Sequence, residues 1–483
     1  MFLGLDLGTS GLRALLVGEG GSVIGSAEET YDVSHPKPGW SEQNPADWET
    51  ACDKVVAALV AKHGTEMQAL RGVGISGHMH GATLLDQGGA VLRPCILWND
   101  TRSHAEAARL DASDCVRDIS GNIVFPGFTA PKLMWVAKNE PEVFANVAKV
   151  LLPKDYLTHW LTGAYVSEMS DSAGTTWLDV GARDWSDKLL AASGMQRDQM
   201  PELVEGSERA GTLRPELADR WGLPDGVIVV GGGGDNAAAA CGVGALREGD
   251  GFVSLGTSGV LLAARDSFAP MPSSAVHTFC HAIPNRWYQM GVILAATDSL
   301  NWLARNLNQS PADLSAALGD NISGPGTLRF LPYLSGERTP HNDSAIRGAL
   351  LNIDISAGPA DLTQAVMEGV AFALRDSLEA LKSTGANLTR VLAIGGGSQS
   401  RYWVELCATV LGLPIDLPAQ GEFGAALGAA RLAICGATGA DPDTVMTRPD
   451  VAETIHPRDD LRPAYDAAWR QFRAAYPAIK AIQ

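Results

Sequence analysis

The chain has 483 residues, of which 46% are hydrophobic and 19% charged, a composition typical of globular proteins and not of disordered chains. Its 37 lysines and arginines against 55 aspartates and glutamates give a net charge of −18. This charge argues against binding to nucleic acid or to an anionic membrane, although backbone amides and a metal ion can still hold a small anion.

The first predicted element is a β-hairpin at the amino terminus, and it occurs twice. Residues 2–15 read FLGLDLGTSGLRAL and residues 251–264 read GFVSLGTSGVLLAA, with LGTSG at 7–11 and again at 255–259. Each copy is an apolar strand, a Gly-Thr-Ser-Gly turn and a second apolar strand, which is a hairpin pattern. The copies lie about half a chain apart, which indicates two homologous domains.

Strands and helices alternate after each hairpin. An amphipathic helix is predicted over 44–62, beginning at Asn44-Pro45 as N-cap and first turn. Further helices are predicted over 361–384, 401–411, 421–435 and within 461–483. Strands are predicted over 21–32, 73–76, 82–85, 226–230, 287–294 and 391–395. The pattern predicts two α/β domains, 1–246 and 247–483, with a cleft between them and the boundary near 246–251.

Several nucleotide-binding motifs are absent from the sequence. It contains no Gly-Lys dipeptide, and therefore no Walker A loop, and no HRD, DFG or HExxH motif. A GxGxxG occurs at 72–77, but its glycines interrupt a predicted strand instead of leading from a strand into a helix. The sequence therefore argues against a dinucleotide-binding fold.

The turn that follows Asp6 combines a carboxylate with exposed amides and hydroxyls. Such a turn can hold phosphate oxygens, and the carboxylate suits Mg²⁺, a hard cation. The second copy has Ser254 where the first has Asp6, so only the first is expected to hold the metal. Two ordinary hairpins are the alternative interpretation.

Two glycine-rich turns follow predicted buried strands. In GGGGDNAAAA, residues 231–240, Asp235 stands where a helix begins, and glycines allow a ligand to approach the backbone. We favour a catalytic carboxylate over the alternative, a structural N-cap. The turn at 394–398 fits the face of a base or phosphates, and equally a tight strand–helix junction.

Two segments show a family resemblance that extends over essentially the whole chain. Residues 127–139, GFTAPKLMWVAKN, and 421–430, GEFGAALGAA, are similar to the signatures of the FGGY carbohydrate kinases of the actin-like ATPase superfamily. The members that phosphorylate D-xylulose at O5 are resembled most, through MHG, ILWND, LPKD, DSAGT and FLPYLSGERTPH at 79–81, 96–100, 152–155, 171–175 and 330–341. The resemblance implies two actin-like ATPase (ribonuclease H-like) domains and ATP-dependent phosphorylation of D-xylulose, with ribulose, another ketose or a polyol as alternative substrates.

The resemblance also implies roles for individual residues. Asp235 would be the general base on the sugar hydroxyl, and Asp6 would organise Mg²⁺. The sugar pocket would be lined by Met79, His80 and Asn236. Phosphates would be held by Thr9, Ser10 and Thr257, with Arg13 near the transferring phosphate, and adenine would be flanked by Gly395, Gly396 and Gly397. The first domain would thus supply the sugar site, base and metal hairpin, and the second the other phosphate hairpin and the adenine site.

The pair of histidines around Met79 departs from the expected pattern, because His78 stands where we expect glutamine. His78 and His80 are two apart on a predicted strand, so both would face one side. A metal site, a sugar contact by His80 and a core histidine are the alternatives, and we favour the sugar contact.

The remaining expectations concern compartment and partners. The seven cysteines are scattered without a CxxC pair, the start MFLGLDLGTS lacks a basic n-region, and no run of ~18 apolar residues is free of charge. We expect reduced thiols, a cytoplasmic protein, ATP and a sugar as partners, and compatibility with a homodimer. An actin-like filament or chaperone ATPase and a silent sugar sensor are competing classes, although the two halves leave no room for a peptide-binding domain.

Overall fold

The computed structural model of the chain describes residues 1–419 and 424–482. The helix predicted over 421–435 and the segment 421–430 therefore begin outside the described residues. Residue 483, the last of the predicted carboxy-terminal segment, also lies outside them.

The described residues form strands and helices in alternation. The strands up to residue 246 are β1 (Phe2–Leu7), β2 (Gly11–Val17), β3 (Val23–Thr30), β4 (Glu42–Gln43), β5 (Gly72–Gly77), β6 (Thr83–Leu85), β7 (Cys95–Ile96), β8 (Lys149–Leu151), β9 (Val166–Glu168), β10 (Leu178–Asp179), β11 (Asp184–Trp185), β12 (Glu202–Val204), β13 (Arg209–Thr212), β14 (Ile228–Val230) and β15 (Gly233–Gly234). The later strands are β16 (Gly251–Leu255), β17 (Gly259–Arg265), β18 (His277–Cys280), β19 (Trp287–Ile293), β20 (Arg329–Leu331), β21 (Ala349–Leu351), β22 (Val391–Ile394), β23 (Ile415–Pro418) and β24 (Val451–Ile455).

The helices divide in the same way. Those up to residue 246 are α1 (Pro45–Lys62), α2 (Gly64–Met67), α3 (His104–Asp111), α4 (Val116–Ser120), α5 (Thr129–Asn139), α6 (Pro141–Ala145), α7 (Pro153–Thr162), α8 (Met169–Ser172), α9 (Asp187–Ala192), α10 (Pro215–Trp221) and α11 (Asp235–Val243). The later ones are α12 (Thr297–Leu307), α13 (Pro311–Ala316), α14 (Pro359–Ser383), α15 (Arg401–Leu411), α16 (Ala425–Thr438), α17 (Pro442–Val445) and α18 (Arg462–Lys480).

Two large sheets of the same plan organise the described part of the chain. The first has the order β13-β14-β5-β1-β2-β3, with β15 also paired to β5. The second has the order β18-β19-β17-β16-β22-β23-β24. In each, the repeated hairpin (β1–β2 and β16–β17) is antiparallel, and its first strand is also paired in parallel to a buried strand, β5 or β22. The duplication read from LGTSG therefore extends to the topology of both sheets.

One long helix covers each sheet on the side of its antiparallel strands. Helix α1 packs on β2 and β3, and the side chain of Asn44 accepts a hydrogen bond from the Ala46 amide at its start, as predicted. Helix α14 packs on β17 and β19 of the second sheet. The carboxy-terminal helix α18 adds Tyr465 and Phe472 to the second core, which assigns it to the second half.

The two halves meet through α11 and α16, which lie against each other. Helix α16 lies between β23 and β24 of the second sheet in sequence, but it packs on β1 and β5 of the first sheet. Gly4 and Gly74, paired in register, allow this approach: a Cβ on either would lie 1.9 or 2.0 Å from a carbonyl oxygen of α16. On its other side, a Cβ on Gly428 would lie 1.7 Å from the Ala238 oxygen of α11. Backbone thus packs on backbone across this seam.

A second contact between the halves involves the long segment between β5 and β14. Asn122 makes two hydrogen bonds to the backbone of Thr278 in β18, each of 2.9 Å. Trp287 of β19 donates from its indole to the Val180 carbonyl at 2.8 Å. This segment therefore rests on the edge of the second sheet. Across the described ranges, no helix combines the length and apolar character needed to cross a bilayer.

The prediction that His78 and His80 share a strand and face one side is wrong. Strand β5 ends at Gly77, and His80 has a φ of 70°, in the left-handed region. The two rings accordingly lie in different surroundings: His78 lies edge-on to Trp48, whereas His80 stacks on Phe128.

Candidate active site

Two carboxylates lie at the carboxyl ends of central strands of the first sheet, β1 and β15, which flank β5. In the register of this sheet, Ser76 of β5 stands between Asp6 of β1 on one side and Gly233 of β15 on the other. Neighbouring strands are about 4.8 Å apart, so Asp6 is close to the end of β15, which Asp235 directly follows. The Ser76 hydroxyl donates to Asp6 Oδ1 at 2.7 Å. The sheet therefore brings together the two aspartates that the sequence singled out.

The environment of both carboxyl groups disfavours their charge. Burial raises the pKa of Asp6, while the Ser76 hydrogen bond and the charge of Arg13 oppose the shift. Burial, assisted by the charge of Asp6, raises the pKa of Asp235 to about 6. Each group nevertheless keeps some accessible surface. A carboxylate poised near pH 6 is suited to accept a proton at neutral pH.

The position of Asp235 excludes the N-cap alternative. Helix α11 begins at Asp235 itself, its N-cap is Gly234, and no side chain caps it. Asp235 Oδ1 accepts hydrogen bonds from the amide of Asn236 at 2.7 Å and from its side chain at 2.9 Å. Asn236 thus orients the carboxylate through Oδ1, and within residues 1–419 and 424–482 no hydrogen bond is made to Oδ2.

Met79 and His80 follow the end of β5, and Met79 lies close to the residue before Asp235. A Cβ on Gly234 would be 3.0 Å from Met79 Cγ, so the residue before Asp235 packs on the methionine. The hydroxyl of Tyr288, from β19, lies 3.9 Å from Met79 Sδ. The His80 ring stacks on Phe128 with centroids 4.5 Å apart. Tyr288 of the second sheet thus adds to the surroundings of Met79, in a candidate pocket whose other residues come from the first half.

His78 is separated from this pocket by its packing. It is 3% exposed, neither ring nitrogen has a hydrogen-bond partner in the described part of the chain, and burial lowers its pKa to about 3. It lies edge-on to the Trp48 ring at 5.8 Å. The geometry matches the core-histidine alternative for His78, and residues 1–419 and 424–482 contain no cluster of three or more metal-ligating side chains.

The first hairpin turn presents Thr9 and Ser10. The Thr9 hydroxyl accepts a hydrogen bond from the Trp98 indole at 3.0 Å, and its carbonyl accepts one from the Gln43 side chain at 2.6 Å. Ser10 is exposed, and Arg13 lies directly across the hairpin from Asp6. The turn is therefore held from two sides while its hydroxyls stay at the surface.

The second hairpin turn borders a cavity of about 560 Å³. The exposed Thr257 has its carbonyl bonded by the Ala296 amide at 2.8 Å, and the Thr297 hydroxyl donates to the Gly256 carbonyl at 2.8 Å. Thr297 in turn lines the cavity, with Leu300, Asn301, Pro311, Ala312, Ser315, Ala316, Gly319, Asp320, Gly396, Gly397, Gln399, Ser400, Arg401 and Trp403. A volume in this range accommodates a drug-sized molecule such as a nucleoside.

The three consecutive glycines have different places beside this cavity. Gly396 and Gly397 line it, whereas Gly395 makes the turn out of β22 with a φ of 86°. A Cβ on Gly395 would lie 2.8 Å from the Leu255 carbonyl, next to the second hairpin turn. The glycines therefore join the cavity to that turn.

The donor set at the sheet edge fits a magnesium ion. Mg²⁺ in proteins keeps several waters and is held by one or two carboxylates together with substrate phosphates. Asp6, with its accessible surface next to Asp235 and a hydroxyl-bearing turn, supplies a set of this kind. Among the described residues, Asp6 would hold the ion and the turn would hold the phosphates.

Sequence reasoning assigned no role to several residues of this site. They are Ser76, Thr129, Lys132, Gly174 and Tyr288, whose contacts with the aspartates, Met79 and His80 span 49 to 209 residues of sequence. Thr129, Lys132 and Gly174 lie inside segments that carried the family resemblance, which is the one signal that pointed to them.

Comparison with known proteins gives consistent likenesses. The patterns of the N- and C-terminal domains of the FGGY family of carbohydrate kinases match residues 1–242 and 251–437. The "Xylulose kinase" of Klebsiella pneumoniae is 47% identical over 478 residues, covering 98% of both chains. The "Xylulose kinase" of Escherichia coli K12 is 49% identical over 437 residues, 90% of this chain and 89% of its own. A crystal structure from Brucella ovis, named a "xyloylose kinase", has a TM-score of 0.98 at 58% identity and covers 100% of both chains. These likenesses confirm the predicted fold class of two actin-like ATPase α/β domains.

Proposed function

Because the chain belongs to the FGGY family of carbohydrate kinases, we propose that it phosphorylates D-xylulose at O5 with ATP as the phosphoryl donor. The observation that carries the proposal is the placement of the half-buried Asp235 carboxylate beside Asp6 and next to the pocket of Met79 and His80. The names of the relatives support the choice of sugar.

Asp235 is the general base of this proposal. The second oxygen of Asp235 accepts the proton of the sugar hydroxyl as the hydroxyl oxygen attacks the γ-phosphorus in line and the bond from that phosphorus to the departing ADP oxygen breaks. Asn236 meanwhile fixes Oδ1 of Asp235. A base of this kind contributes roughly 10²–10⁴-fold to the rate. Met79, His80 and Asn236 line the sugar side, and Tyr288 of β19 lies against Met79.

The two hairpins bind the nucleotide. Thr9, Ser10 and Thr257 hold phosphate oxygens, with Arg13 near the transferring group. The cavity beside Gly396 and Gly397 takes the adenine and ribose, and Gly395 sets the turn. A magnesium ion at Asp6, when bound, neutralises phosphate charge. In this proposal the domains are 1–246, with the sugar, base and metal sites, and 247–483, with the second phosphate turn and the adenine site.

A coupled ADP-release assay tests this function. We expect turnover with ATP and D-xylulose at least tenfold above that with D-ribulose, L-ribulose or glycerol, and little ADP release without sugar. Preference for another ketose or polyol would assign a different substrate within the family. ADP release that is independent of every sugar would contradict kinase activity and favour an actin-like ATPase.

A further inference from the structure

His80 has an unusual backbone conformation for a residue with a bulky side chain. Its φ of 70° lies in the left-handed region, a strained conformation that a non-glycine residue keeps only where its surroundings hold it there. Two donors meet at its carbonyl oxygen: the Thr129 hydroxyl at 3.1 Å and the Lys132 amine at 2.8 Å. Both come from the first turn of α5, three residues apart, and so from one face of that helix.

The amine of Lys132 is buried and its hydrogen-bond partner is a neutral carbonyl group. Its side chain is 0% exposed, and among residues 1–419 and 424–482 its amine has no ion pair, with the His80 carbonyl as its hydrogen-bond partner. Burying an amine without a counter-charge is strongly unfavourable, and here burial lowers its pKa to about 7. Such a group stabilises the fold poorly, so its position is better explained by the contact it makes with the His80 carbonyl.

The ring of His80 is fixed as tightly as its backbone. Nδ1 lies 2.7 Å from the Gly174 carbonyl, and because a carbonyl only accepts, Nδ1 carries the hydrogen. A Cβ on residue 174 would lie 2.4 Å from that nitrogen, so glycine is required there. Burial lowers the pKa of His80 to about 3, so the ring is neutral and Nε2 presents a lone pair.

We propose that Lys132 is a positioning residue for sugar binding: through the carbonyl of His80 it holds the imidazole so that Nε2 accepts a hydrogen bond from one sugar hydroxyl. Lys132 itself does not contact the substrate in this arrangement. The proposal rests on the proposed sugar kinase function, and it adds that the pocket requires a hydroxyl donor at one fixed position of the sugar.

The first test compares Lys132→Met with Lys138→Met, a lysine of the same helix whose side chain is 69% exposed. We expect Lys132→Met to raise the KM for the sugar substrate about tenfold or more and to leave the KM for ATP within twofold. Lys138→Met should change neither. A sugar KM within twofold of the wild type, or equal rises for sugar and ATP, would overturn the proposal.

Monodeoxy analogues of the sugar make the test specific. In the wild type, removal of one hydroxyl should cost at least tenfold in kcat/KM, because the acceptor Nε2 is left unpaired. In Lys132→Met the same removal should cost threefold or less. An undiminished penalty would show that the imidazole is placed without Lys132 and would overturn the proposal.

Thr129→Val provides the test if Lys132→Met does not fold. It removes the second donor to the same carbonyl at nearly constant volume, and we expect a three- to fivefold rise in sugar KM alone. An unchanged sugar KM would contradict the positioning role of this pair of donors.

Spectra of protein labelled with ¹⁵N-histidine, recorded without ligand, separate this inference from the proposed function. The wild type should show His80 with hydrogen on Nδ1 only, and Lys132→Met should show a mixture of tautomers. A single unchanged tautomer in Lys132→Met would overturn the inference. Inactivity of the wild type on every sugar would instead overturn the function, whatever these spectra show.

Discussion

Among single residues, Asp235 carries its charge where the surroundings disfavour it. Its pKa of about 6 exceeds the unfolded value of about 3.9, so the folded protein binds the proton more tightly than the unfolded chain. Stability therefore falls as pH rises from about 4 to above 6. The ionised carboxylate at neutral pH costs the fold free energy, which is expected of a group retained for chemistry.

Asp235→Asn should separate the contribution of the carboxylate to turnover from its cost in folding stability. We expect turnover to fall at least ~10²-fold. We also expect the free energy of unfolding at pH 8 to rise by about 1–2 kcal/mol, with a smaller gain at pH 5, where the wild-type group is largely protonated. Sugar-dependent ADP release and urea unfolding at both pH values measure this. Asp219→Asn, at an exposed position, is the control. Turnover close to that of the wild type would contradict the assignment of the base.

The pH dependence of catalysis should report the same group. Since the base acts only when ionised, kcat/KM for the sugar should be level above pH 7 and fall towards tenfold per pH unit below about pH 6. Rates measured from pH 5 to 9 in buffers of constant ionic strength check this. A flat profile between pH 5 and 7 would mean that Asp235 is not the proton acceptor.

Among the elements, helix α16 packs backbone against backbone on the first sheet and on α11. Gly428→Ala should place a Cβ 1.7 Å from the carbonyl oxygen of Ala238. This is a backbone atom, so no rotation of a side chain can relieve the clash. We expect a loss of at least about 2 kcal/mol in the free energy of unfolding, in the upper range for overpacked cores. Gly64→Ala, where a Cβ meets nothing within 4 Å, is the matched control and should be close to neutral. Equal stability of the two variants would contradict the backbone-to-backbone seam.

The local elements could be predicted from the sequence because their determinants are local. The turn residues of LGTSG specify both hairpins, and Asn44-Pro45 specifies the start of α1. The pairing of β5 with β1 on one side and with β15 on the other, which brings Asp6 and Asp235 close together, has no local pattern that predicts it.

Other features could not be predicted because they depend on contacts between distant segments. The position of α16 on the first sheet depends on Gly4 and Gly74, which look like ordinary strand glycines in the sequence. The shared face expected for His78 and His80 was wrong, since the φ of 70° at His80 is imposed by donors from α5. The hydrogen bond of Lys132 spans 52 residues, which no period in the sequence reveals.

In the whole molecule, Asn122 links the two halves away from α11 and α16. It is 1% exposed and bonds both the amide and the carbonyl of Thr278, as a neighbouring strand would. Asn122→Ala should lower the free energy of unfolding by about 2–3 kcal/mol, because both backbone groups lose their partner in a buried place. Urea unfolding measures this, with the exposed Asn139→Ala as control. A loss below about 0.5 kcal/mol in the free energy of unfolding would contradict this link, because it would mean that water replaces the side-chain amide of Asn122.

Helix α16 also sets an order of events during synthesis. Strand β5 ends at residue 77, yet the helix that packs on it and on β1 begins only at residue 425. Until then, the face that includes Gly4 and Gly74 lacks its cover, and the amino-terminal half is a nascent chain with an open apolar surface. We therefore expect this face of the first sheet to be covered only after most of the second sheet has been synthesised.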